Sequence, residues 1–172
     1  MSATTPTTIL ADAFGRVHEA IPQLLDGLDR DALTWRPDPD ANSIGWLVWH
    51  LTRVQDDHVA DVGGIEQVYT AHGFADRFGL PYPASAVGYG QSSAEVGAFR
   101  VDGPDPLVAY HDAVHAMTLG VIDGLDDDGY ARVVDERWDP PVTAAVRLVS
   151  VVNDITQHLG QAAYVKGMYQ RR

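Results

Sequence analysis

From Ser43 to Gly63 the chain carries Ile44, Trp46, Leu47, Val48, Trp49, Leu51, Val54, Val59 and Val62, apolar groups that cover most of the circumference of a helix. A helix apolar over so much of its circumference is expected to lie among neighbours that enclose it. This segment therefore demands a fold of several helices with itself at the centre. Ser43 is suited to cap its start and Gly63-Gly64 to end it.

The partners are legible by period. Leu10, Phe14, Val17, Ile21, Leu24, Leu25 and Leu28 recur at intervals of three and four, which predicts a first helix over about Ile9 to Leu28, with a kink or boundary at Pro22. Pro104-Asp105-Pro106 opens a third helix through Leu107, Tyr110, Val114, Met117, Val121, Ile122 and Leu125, proline being least costly in a first turn. A strongly apolar last helix is predicted from about Val142 to Tyr169. The proline-rich stretch Asp29 to Asn42 reads as a loop, and Ile65 to Asp102 as a long crossover holding one or two short helices. Asp126 to Pro141 reads as irregular, with Val133 and Val134 extended. The expected fold is all-α: a four-helix bundle forming a single domain over residues 1–172 behind an N-terminal tail of about residues 1–8, with its long connection between helices 2 and 3.

Composition closes several classes. Cysteine is absent, so no disulfide, thiolate metal site or cysteine nucleophile can form, and any metal must rest on His, Asp or Glu. Twenty-four acidic against twelve basic residues give a net charge of -12, which disfavours nucleic acid and anionic membranes as partners. No run approaches the roughly 18 apolar residues of a membrane span, and Met1 to Thr8 lack a secretory pattern, so a cytoplasmic protein is expected.

Polar residues inside apolar helices need partners and so draw attention. His50 stands within Trp46-Leu47-Val48-Trp49-His50-Leu51, and Asp154 and His158 stand four apart in the last helix, on one face. Two imidazoles and a carboxylate suit Zn²⁺ foremost, or Ni²⁺ or Fe²⁺, and leave coordination positions open. An Asp154 to His158 ion pair without metal explains the spacing equally simply. His111 and His115 are also four apart, but in less apolar surroundings, and read as a solvated or half-buried face. His58 falls about 80° round the helix from His50 and is not expected to share its site, whereas Asp57 shares the face two turns away. His18 and His72 support no reading.

The stretches Asn42-Ser43-Ile44-Gly45-Trp46-Leu47-Val48-Trp49-His50 and Asn153-Asp154-Ile155-Thr156-Gln157-His158-Leu159-Gly160-Gln161 resemble the two motifs of the DinB-like superfamily. Asp154 stands where many members have histidine. The resemblance implies a four-helix bundle, often a homodimer, holding a metal on His50, Asp154 and His158. It also implies a small-molecule substrate and a low-molecular-weight thiol as possible cofactor, because members include bacillithiol S-transferases and mycothiol-dependent maleylpyruvate isomerase, whose site is similarly His, acidic, His with Glu in the middle place. On that reading the function is metal-dependent S-transfer or isomerisation. The alternatives are a non-catalytic, stress-associated metal- or ligand-binding protein and a relic without metal. Trp46, Asp57 and Gln161 are the expected cofactor-binding residues, with Trp49, Tyr82 and Tyr89 as pocket wall and Asn153 and Gln157 as supporting hydrogen-bonders. A metal-water hydrolase would need a general base, for which Asp57 is the candidate.

Overall fold

The computed structural model describes residues 5–172. Four long helices dominate it: α1 (Pro6–Leu25), α3 (Ile44–Gly63), α7 (Asp105–Asp123) and α9 (Ala144–Tyr169). Between them lie the short helices α2 (Arg30–Thr34), α4 (Val68–Ala71), α5 (Phe74–Phe78), α6 (Ser93–Gly97) and α8 (Asp127–Ala131). A two-stranded antiparallel ribbon of β1 (Val133–Asp135) and β2 (Val142–Thr143) leads into α9. α3 packs against both α7 and α9, and α1 closes the ring against the same two.

Local chemistry sets the ends. Ser43 Oγ accepts from the Trp46 amide at 3.2 Å, and Gly64 stops α3 in the left-handed region at φ 62°. Thr143 caps α9 through the Val146 amide at 3.3 Å. The expected tail is shorter than residues 1–8: α1 begins at Pro6, residues 1–4 lie outside the described residues, and the helix runs on past Pro22 to Leu25. The crossover holds three short helices, and both stretches read as irregular contain one more, at Arg30–Thr34 and Asp127–Ala131, each capped by the aspartate before it. Five-residue helices have no apolar period to display.

α3 is enclosed as its composition requires, with Ile44, Val48, Leu51 and Val59 wholly buried. Burial extends to Arg53 and Asp56, both at 0% exposure. Arg53 donates to the carbonyls of Ala84 and Ala86 at 3.2 and 3.1 Å, to Asp56 Oδ2 at 3.3 Å and to the Tyr110 hydroxyl at 3.2 Å. Asp56 accepts from the amides of Val68 and Tyr69, both at 2.8 Å, and from Tyr110 at 2.7 Å. One buried pair thus ties both ends of the crossover's first half to α3 and α7.

Asp56→Ala leaves Arg53 charged in the core and two amides without acceptors, so we expect it to cost about 3–5 kcal/mol. Tyr110→Phe, which removes one hydroxyl, is expected to cost about 1–1.5 kcal/mol. Urea unfolding followed by circular dichroism measures both.

Candidate metal centre

α3 brings His50, and one turn of α9 brings Asp154 and His158, to a single place where one ligand atom from each lies within 4.8 Å of the others. Asp154 Oδ2 is 3.7 Å from His158 Nε2, and the His50 and His158 rings meet edge to face at 4.6 Å. Three atoms each about 2.0–2.2 Å from a common Zn²⁺ stand about 3–3.5 Å apart, so small side-chain shifts close the set.

The surrounding hydrogen bonds decide which ring nitrogens are available. His50 Nδ1 donates to the Val87 carbonyl at 2.5 Å, and His158 Nδ1 donates to Gln161 Oε1 at 2.9 Å. Both partner atoms are acceptors, so each imidazole carries a proton on Nδ1, and Nε2 is the nitrogen that holds the lone pair in the neutral ring. Burial is the first cause that pushes the His50 pKa down, which favours the neutral ring. The carboxylate supplies a further sign: Asp154 Oδ1 is shielded from solvent and has no hydrogen-bond partner. A carboxylate with one unpartnered oxygen and the other 3.7 Å from His158 Nε2, beside two imidazoles that donate elsewhere through Nδ1, is a set of acceptors that a divalent cation fits.

The wall around His50 comes from the crossover. Trp46 stacks on the His50 ring at 4.7 Å and donates Nε1 to Gln91 Oε1 at 2.8 Å, so the indole closes the back of the site. Gly88, at φ 95°, sits so close that a Cβ there would stand 2.6 Å from His50 Nδ1 and 3.0 Å from Trp46. Trp49 is core, with Tyr82 packed on it at 5.4 Å, whereas Tyr89 is 92% exposed and walls nothing. Asn153 and Gln157 face solvent, Gln157 donating to the Asn153 carbonyl, so neither supports the ligands; Gln161 alone of the α9 amides does.

Asp57 is not beside the three ligands. It accepts from Gln67 Nε2 at 2.7 Å and lines a separate polar cavity with His58. The α7 histidines also differ from expectation. His111 is buried, and His18 of α1 stacks on His115 at 4.1 Å while its Nε2 meets Asp112 Oδ1 at 2.9 Å. Thr52 Oγ1 gives its proton to the Val48 carbonyl, so His111 Nδ1 must donate to it, leaving a buried His111 Nε2 without partner. Adjacency of α1 and α7 creates this cluster, which no spacing within one helix reveals. The ligand atoms of these histidines do not converge as those of His50, Asp154 and His158 do.

An all-helical bundle with an inward-facing His, Asp, His set defines a class of candidate metal-binding proteins. Residues 13–162 match the family model of the DinB superfamily, and the chain belongs to that superfamily. Its fold is similar to the crystal structure of a conserved protein of a locus from Enterococcus faecalis, with 27% identity, a TM-score of 0.89 and coverage of 95% of this chain and 96% of that one. No curated protein matches.

Two outcomes follow. Gly88→Ala pushes the crossover off His50 and is expected to weaken divalent-metal affinity about 10- to 100-fold, read by competition with a chromophoric chelator. Burial drives the His111 pKa from 6.5 down to about 3. The unfolded chain therefore takes up a proton there that the folded chain refuses, and stability falls as pH drops from about 6.5 towards 3. Urea midpoints taken down this range fall less steeply in His111→Leu.

Proposed function

We propose that the protein is a divalent-metal-dependent enzyme, with Zn²⁺ the foremost ion, that presents an external low-molecular-weight thiol to a small-molecule substrate for S-transfer or isomerisation. The observation that carries the metal part is the acceptor set: the Asp154 carboxylate, its Oδ1 without a partner and its Oδ2 3.7 Å from His158 Nε2, beside two imidazoles whose Nδ1 protons are held by Val87 and Gln161. A divalent ion held by three protein side chains keeps an open position and lowers the pKa of a thiol or water bound there.

The chain's own residues have defined tasks on this reading. His50 and His158 each offer Nε2, held in aim by Val87 and Gln161, and Asp154 adds the charge that balances a dication. Trp46 keeps water from the back of His50. The lack of cysteine favours an external sulfur nucleophile, since the chain has none of its own. The hydrolase alternative is weakened because Asp57, its intended base, is engaged by Gln67 in another cavity. A second copy of the chain is the partner we infer: every exposed residue of α9 from Val146 to Tyr164 is uncharged, Val149 at 62% and Tyr164 at 69% exposure among them. On a surface of net charge -12, that stripe is where two copies repel least.

Protein purified without chelator or a nickel tag should hold near one equivalent of divalent metal by plasma mass spectrometry, and His158→Ala should hold none. Addition of a low-molecular-weight thiol to the cobalt-substituted protein should produce a sulfur-to-cobalt charge-transfer band, and light scattering of the same sample should give the mass of two chains. Failure to take up metal on reconstitution contradicts the metal site. Metal without the band contradicts the thiol, and a single-chain mass contradicts the dimer.

A further inference from the structure

A polar cavity of about 590 Å³ opens between the C-terminal half of α3, the start of α4, the β1 turn and the first turns of α9. It lies apart from the metal centre: Arg147 in its wall is seven residues before Asp154, about 10 Å along α9. Its walls differ in charge. On one side two guanidinium groups converge on the Asp135 carboxylate, Arg137 Nη2 at 2.9 Å and Arg147 Nη2 at 2.8 Å from Asp135 Oδ2, with the exposed Glu136 beside them. The α3 side presents Asp57 and Asp61. His58 stands with them, its pKa pushed below the ordinary histidine value by burial first and then by the nearness of Arg147.

We propose that this cavity binds a small zwitterion, with a carboxylate of the ligand on Arg147 and an ammonium on the Asp57–Asp61 side. Arg147 is the most informative residue. Its side chain is 16% exposed, and its Nε is shielded from solvent with no acceptor. A guanidinium N–H beside the Nη2 already bound to Asp135 offers one arm of a fork that a ligand oxygen would complete. Asp135 cannot supply it, because Arg137 takes Oδ1 through its backbone amide and Nε at 3.0 and 2.9 Å. Asp61 makes no ion pair within 4 Å among the described residues, Arg137 and His58 acting on it only at longer range, so a ligand ammonium would be its first close partner. Ala60, Ile65 and Val134 supply apolar floor, and the volume suits a molecule of amino-acid to tripeptide size. None of His50, Asp154 and His158 lines this cavity, so the inference stands independently of the metal reading.

The test is a ¹H–¹⁵N titration of the full chain with four probes: glycine and glycylglycine as zwitterions, N-acetylglycine as the anion alone and glycinamide as the cation alone. It is run on chelator-treated and zinc-loaded protein in parallel. At least one zwitterion should shift the amides around Asp57–Asp61 and Arg147, equally in both samples, and bind about tenfold more tightly than either singly charged probe. Arg147→Met should abolish the shifts, and the exposed Asp61→Asn, which leaves the Arg147–Asp135 pair intact, should weaken binding of the zwitterion without weakening N-acetylglycine. The proposal is overturned if no probe binds, if N-acetylglycine binds as well as the zwitterions, if Asp61→Asn has no effect, or if the shifts appear only around His50 and His158 in the zinc-loaded sample.

Discussion

Enclosure of α3 is the constraint on which the rest depends. A helix surrounded by α7, α9 and the crossover is under pressure to pair its polar groups, since an unsatisfied one costs about 1–3 kcal/mol and an uncompensated charge more. Three buried polar side chains on α3 are accordingly fastenings. Gln55 donates to Thr118 on α7, Asp56 holds the amides that start α4, and Arg53 holds the carbonyls of Ala84 and Ala86. Because Arg53 fixes residues 84 and 86, the next carbonyl, that of Val87, falls on His50 Nδ1. The charged core pair and the geometry of the candidate metal site are thus one construction.

The helix pair then explains why the site is shaped as it is. α9 offers Asp154 and His158 one turn apart, and α3 offers His50 against them. Close packing of these two helices brings the short Asp154 side chain within reach of both imidazoles. The support on the α9 side is local, from Gln161 one turn on from His158, whereas the support on the α3 side comes from 37 residues away in Val87. The Cβ that Gly88 lacks is the space that second support requires.

Apolar period and capping residues were enough to place the four long helices, because burial imposes period and Ser43, Gly64 and Pro104 mark ends. The cluster of His50, Asp154 and His158 was legible for the same reason that His50 stands out: polarity inside an apolar helix. That reasoning extends to Arg53 and Asp56, which a reading centred on histidine passed over although they are charged residues in the same helix. Other features depend on which helices become neighbours. His18 acquires its role only because α1 lies on α7, and His111 is buried despite a mixed local sequence because α3 covers it through Thr52. Asp57 shares the His50 face in angle but stands two turns further on, which here is enough to place it in a different cavity.

The central claim is that His50, Asp154 and His158 form one coordination set. Anomalous diffraction at the zinc edge from crystals of the zinc-loaded protein tests it most directly. The account predicts one peak per chain about 2.0–2.2 Å from His50 Nε2, Asp154 Oδ1 and His158 Nε2 together, with Val87 and Gln161 still bound to the opposite ring nitrogens. A peak among His18, His111 and His115 instead, or none between α3 and α9, would contradict it.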